Sequence, residues 1–170
     1  MKIYYKAAGA LLAAVTAVVF IAKADIASPN DTSLQSKIDR GRYVVRIAGC
    51  NDCHTPGYLQ TEGSVPESDW LIGDTLGWRG PWGTTYPSNL RLYMQEMSED
   101  DWVAKAHALK TLPPMPWFAV NSMNEEDLRS VYQFIRSLGP KGEKVPAYVA
   151  PDMEPSTPYL VLVPQTPKTP

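Results

Sequence analysis

Cys50, Cys53 and His54 fall in the stretch CNDCH, which holds both cysteines of the chain and one of its two histidines. Two thiols separated by two residues and followed at once by an imidazole form the pattern of c-type haem attachment. The spacing has a chemical reason. Each thiol adds across one vinyl group of the porphyrin, the two-residue gap lets both sulfurs reach the same edge, and the adjacent imidazole meets the iron from one face. Three other chemistries use such residues. A thioredoxin-like redox pair needs a βαβ context, of which this chain carries no sign, and it leaves His54 without a role. A zinc site built from Cys50, Cys53 and either His54 or His107 is one ligand short, or it forces neighbouring residues onto one tetrahedral ion. A disulfide across two intervening residues closes too short a loop to stabilise much.

A haem held by His54 alone is open on its other face, so a second ligand is needed. Met115 is the leading candidate, because the stretch LPPMPW, Leu112 to Trp117, surrounds it with three prolines. Proline fixes the backbone and removes competing amide donors, which lets a thioether sulfur be held in place at little entropic cost. Met94, Met97 and Met123 sit beside expected helix starts and read as packing residues. His107 is the alternative ligand. Its helical spacing from Val103 and Lys110 sets it opposite the expected buried stripe, as a solvated side chain.

These groups must be carried by a small set of elements. Thr32 followed three residues later by Gln35 is a capping box, and Leu34, Ile38, Gly41, Val45 and Ala48 then recur at helical spacing, so an amphipathic helix delivers the chain to Cys50. Gly41 inside it costs about 1 kcal/mol relative to alanine, which is reasonable where another helix crosses closely. A second helix is expected from Ser98, with Glu99, Asp100 and Asp101 at its positive end and Trp102, Ala106 and Leu109 buried. A third starts at Asn124, buries Leu128, Val131, Ile135 and Leu138, and stops at Gly139-Pro140. Between Pro56 and Met97 the chain is rich in glycine, proline and tryptophan and has no sustained period, which predicts a long ordered loop wrapped around something. From Pro140 to Pro170 eight of 31 residues are proline, so an extended tail is expected, and YLVLV, Tyr159 to Val163, is its only apolar cluster.

The N-terminus reads as an export signal. Lys2 and Lys6 precede an apolar run from Ala7 to Ala22, and Ala22-Lys23-Ala24 supplies a small-x-small cleavage site before Asp25. The run is shorter than the roughly 20 residues that span a bilayer, so membrane attachment is expected only if the segment stays uncleaved or through a membrane complex. The domain organisation read from the sequence is therefore a signal peptide at 1–24, one domain at 25–139 and a proline-rich tail at 140–170. Removing the signal takes away Lys2, Lys6 and Lys23 and no acids, so the 16 Lys plus Arg of the full chain fall to 13 against 18 Asp plus Glu, a net charge of −5. A mildly acidic domain without basic runs argues against a nucleic-acid partner. The composition is otherwise ordinary apart from five tryptophans and sixteen prolines.

Three stretches in order, GRYVVRIAGCNDCHTPG, PPMPW and MNEEDLRSVYQFIRSL, resemble the mono-haem class I c-type cytochromes, especially the cytochrome c subunits and domains that serve periplasmic alcohol and aldehyde dehydrogenases. The resemblance runs from about Gly41 to Leu138. It implies an all-α cytochrome c fold in which the first and last helices cross, with Gly41 and Val45 against Val131 and Phe134 or Ile135. It implies Cys50 and Cys53 as thioether anchors of one haem c, His54 as proximal ligand and Met115 as distal ligand. GTTYPSNL, Gly83 to Leu90, is similar to a segment of these proteins in which Tyr86 and Asn89 would line the haem or bond a propionate. Pro66 stands where the family often has a proline whose carbonyl takes the histidine Nδ1 proton. Trp117 and Trp82 are candidates to pack on the porphyrin. Two departures stand out: RLYMQEMSEDD replaces the glycine-rich and threonine-rich link of the dehydrogenase cytochromes, and the tail beyond Pro140 has no counterpart.

The function this implies is electron carriage in the periplasm, not enzymatic turnover. The partners would be redox proteins: a periplasmic dehydrogenase or quinol-linked complex as donor, and an oxidase or another cytochrome as acceptor. Two other readings remain open at the level of sequence. One is a five-coordinate haem that binds small ligands or reduces peroxide, and the other is a permanent subunit strapped to a larger complex by its tail.

Overall fold

The computed structural model describes residues 29–167. The expected signal segment, residues 1–24, and the side chain of Thr32 lie outside the described residues. Helix α1 (Pro29–Ile47) begins before the expected cap and leads into the single turn of α2 (Cys50–His54). A 3-10 turn (Glu67–Asp69), two short strands β1 (Gly77–Gly80) and β2 (Gly83–Thr85), and helices α3 (Leu90–Tyr93), α4 (Glu99–His107), α5 (Trp117–Asn121) and α6 (Glu125–Ser137) follow, and β3 (Tyr159–Val161) comes last. Among the described residues no helix is long and apolar enough to cross a membrane.

The expectation of an all-α fold is corrected by the sheet. Among the described residues six helices stand beside three strands, which pair in the order β2-β1-β3. β1 and β2 form an antiparallel hairpin closed at Gly80 and Gly83, and β3 joins β1 in parallel, with Gly77 opposite Tyr159. The segment 56–97 is thus not one wrapped loop, because its glycines mark a tight hairpin. Gly83 takes φ +97°, which a side chain rarely adopts.

Helical packing follows the apolar periods. α6 buries Leu128, Val131, Phe134 and Ile135, and α1 meets it with Val44 and Val45. Each such burial contributes roughly 1.5–3 kcal/mol. The crossing is set by Gly41, where a Cβ would overlap the Ser130 carbonyl and stand 2.7 Å from Phe134 Cβ. Beside it the Arg40 guanidinium donates twice to Asp127, at 2.7 and 3.1 Å. Of the expected α1 stripe, Ile38 is half-buried and Leu34 and Ala48 are exposed, so the buried face covers only the middle of the helix.

Caps fix the remaining helix starts. Ser98 and Asp101 exchange bonds in a capping box at α4, and Asn124 accepts the Asp127 N–H at 2.7 Å at α6. Trp102 then locks α4 to α6 by donating Nε1–H to the Leu128 carbonyl at 2.8 Å. The tail beyond Gly139 is extended, as its prolines require, but it is laid against the hairpin. Thr84 and Val149 exchange backbone bonds of 2.8 and 3.0 Å, and the YLVLV segment supplies β3.

Candidate functional site

Gly49, at φ +68°, turns the chain sharply out of α1 so that α2 can start at once. Within that single turn Cys50, Cys53 and His54 stand at i, i+3 and i+4, which places them on one helical face. The turn is pinned from behind by Thr55, which is buried. Its hydroxyl donates to Asn51 Oδ1 at 2.8 Å and accepts the Leu71 N–H at 2.8 Å, while the His54 carbonyl accepts from Gly73 N at 2.9 Å. The 71–73 loop therefore holds the backbone of the cluster still.

His54 is buried, and its Nδ1 lies 2.7 Å from the Ser88 carbonyl. A carbonyl can only accept, so the proton sits on Nδ1 and the lone pair on Nε2. Burial also holds the imidazole pKa below its ordinary value, against a smaller opposing effect of the Ser88 bond. A neutral ring with its tautomer fixed by a backbone carbonyl is the form in which histidine binds metals.

A cavity of about 350 Å³ opens on this ring. Cys53, His54, Tyr86 and Met115 all line it, so the structure brings together four of the residues singled out from the sequence. Met115 is half-buried, and its loop is tied to β2 by the Thr85 hydroxyl, which donates to the Pro113 carbonyl at 2.9 Å. Trp78 and Leu112 supply apolar wall. Val145, Pro146 and Tyr148 of the tail complete it.

Other expected site residues lie elsewhere. The Pro66 carbonyl accepts from Asp69 N at 2.8 Å and starts the 3-10 turn, so the histidine-orienting role falls to Ser88. Asn89 does not line the cavity but caps α3 by accepting from Leu92 N at 3.0 Å. Trp117 is also outside the lining and meets Phe118 edge-on, with centroids 5.9 Å apart. Trp82 packs under Gly80, away from the lining. Tyr86 does line the cavity, and its hydroxyl pairs with Thr157 Oγ1 at 2.9 Å. His107 is exposed, with Nδ1 3.1 Å from the Asn121 carbonyl. Ser88 was within reach of sequence reasoning, since it precedes Asn89 in a segment already picked out. Trp78 and the tail residues carry no local signal that could have found them.

Cys50 sits one turn behind Cys53, half-buried against the core and outside the cavity lining. Burial pushes its thiol up to about 11. Burial also raises Cys53, helped by the negative charges of Asp52 and Asp74. Both thiols are free and held protonated at neutral pH, which makes them a poor redox pair of the thioredoxin kind. Among the described residues no three His, Cys, Asp or Glu side chains converge on one point, so a zinc site gains no third ligand from them. Comparison with protein-family models, with curated proteins and with solved structures yields no match. The chemistry of the site therefore has to be argued from its own atoms. A fixed imidazole lone pair, a thioether and a thiol around one apolar cavity fit a haem c, and the cavity volume falls in the range of small-molecule cofactor sites.

Proposed function

We propose that this chain is an exported mono-haem c-type cytochrome of the periplasm, carrying single electrons from a dehydrogenase or quinol-linked complex to an oxidase or another cytochrome. The observation that carries the reading is His54, whose Nδ1–H is taken by the Ser88 carbonyl while the ring lines the same cavity as Cys53 and Met115. When bound, haem c supplies a one-electron Fe(II)/Fe(III) couple. Cys50 and Cys53 would hold it through thioethers, and His54 Nε2 and the Met115 sulfur would bind its iron. Ser88 keeps the imidazole from rotating, and the Thr85 bond to Pro113 keeps the methionine loop against β2. A soft thioether would favour the reduced state, and the apolar lining from Trp78, Leu112 and the tail would disfavour the extra charge of the oxidised state. A histidine on a pinned helical turn and a methionine in a tied loop would also keep reorganisation on electron transfer small. The reading of the tail as a strap to a larger complex has less to stand on, because the backbone of the YLVLV segment is paired with β1.

The test is the pigment. Protein produced with its export signal should be coloured and should keep its haem in acidified organic solvent, since thioethers resist extraction. Colourless protein, or pigment that leaves into the solvent, refutes the reading.

A further inference from the structure

Asn89 is buried where two segments of the cavity wall meet. The residue before it, Ser88, presents the carbonyl that orients His54. Its own side chain makes three hydrogen bonds. Oδ1 accepts from Leu92 N at 3.0 Å, and Nδ2 donates to the Lys141 carbonyl at 2.8 Å and to the Glu143 carbonyl at 3.2 Å. Val145 and Pro146, two and three residues further along, are wall. The junction has no slack: a Cβ on Gly73 would stand 2.5 Å from Val145 Cγ1, 2.7 Å from Asn89 N and 2.9 Å from the Pro87 carbonyl.

A helix cap needs only an oxygen, which serine or aspartate would supply equally well. The amide adds two donors, and both go to the first residues of the tail. We propose that Asn89 is a positioning residue that docks the start of the tail and so makes Val145 and Pro146 the outer wall of the cavity, next to Tyr148, which is tied separately to the hairpin by its hydroxyl on the Trp82 carbonyl at 2.9 Å. The docking stands on this geometry alone, and its consequence for a redox potential rests on the haem reading above.

Asn89→Ser in the full-length exported chain separates the two roles, since the capping oxygen stays and both donors go. Lys141 and Lys144 are exposed at the start of the tail, and Lys110 is exposed between α4 and α5, so limited trypsin digestion reports on docking with an internal control. Losing two buried hydrogen bonds should raise the undocked population, and cleavage after Lys144, by about tenfold. Cleavage after Lys110 should not change, and the midpoint potential should fall as water reaches the cavity. Asn89→Asp, which keeps the cap and sets a carboxylate against two carbonyls, should behave in the same way. Unchanged cleavage at Lys144, or an equal rise at Lys110, overturns the proposal. Faster tail cleavage with an unchanged potential in coloured protein overturns the wall. A colourless parent protein removes only the haem reading, and the trypsin comparison then decides the docking by itself.

Discussion

His54 and Met115 reach one cavity by different means. The imidazole is clamped from behind by a backbone carbonyl, whereas the thioether is held through its neighbour, with the Thr85 hydroxyl on the Pro113 carbonyl. On the haem proposal, Met115→Ala should abolish the weak far-red sulfur-to-iron charge-transfer band of the oxidised protein and lower its potential, because the soft ligand would be gone. His107→Ala should leave both unchanged, its ring being exposed and turned to Asn121. Visible spectra of the two variants with a potentiometric titration check this, and the reverse pattern would reassign the ligand. At this scale the sequence was informative where chemistry depends on local spacing. Cys50, Cys53 and His54 share one turn, and three prolines mark Met115. The partner of His54 Nδ1 was misplaced at Pro66, because which carbonyl reaches a ring is set by how the 83–90 segment folds back over α2.

The crossing of α1 and α6 gives two tests at the level of elements. Gly41→Ala would gain about 1 kcal/mol of helix propensity, but the new methyl would overlap the Ser130 carbonyl, so the helices must separate. Overpacking against backbone dominates, and a net loss of about 2–3 kcal/mol in urea unfolding is expected. The second test is acidic pH. Asp127 has its carboxyl held below the usual carboxylate range, first by the bond from the Arg40 guanidinium. Its stabilising contribution is therefore complete above the unfolded value of about 4 and is lost as pH falls through the lower folded value. Asp127→Asn should be less stable than the parent at neutral pH, with the gap closing in acid, as measured by urea midpoints across the pH range. α4 and α6 were legible because their caps, acidic first turns and apolar periods lie within a dozen residues of one another. β1 and β2 were not, since Gly-Trp-Arg-Gly and Gly-Thr-Thr carry too few alternating apolar residues to show a strand period.

At the scale of the whole molecule, among the described residues, the tail is fastened by one guanidinium more than by any other side chain. Arg79 donates to Thr84 Oγ1 at 3.1 Å, to the Met153 carbonyl at 2.9 Å and to the Pro151 carbonyl at 3.1 Å, and it lies 5.5 Å over the Tyr159 ring. Lysine has neither the fork nor the plane, so Arg79→Lys should weaken tail docking by about 1–3 kcal/mol. Amide exchange at Thr84 and Val149 should then quicken while amides within α6 keep their protection. No local pattern could foretell this arrangement, because Tyr148 and Val149 meet a hairpin far back in the chain and the residues before Val145 meet Asn89. The parallel match of Gly77 with Tyr159 has one more consequence. Contacts between residues so distant in sequence close late in folding, after nearby helices have met. Cys53, His54 and Met115 would accordingly face an uncovered hollow while the last ribbon is still loose, so the cavity stays open to solvent until the tail has met the hairpin.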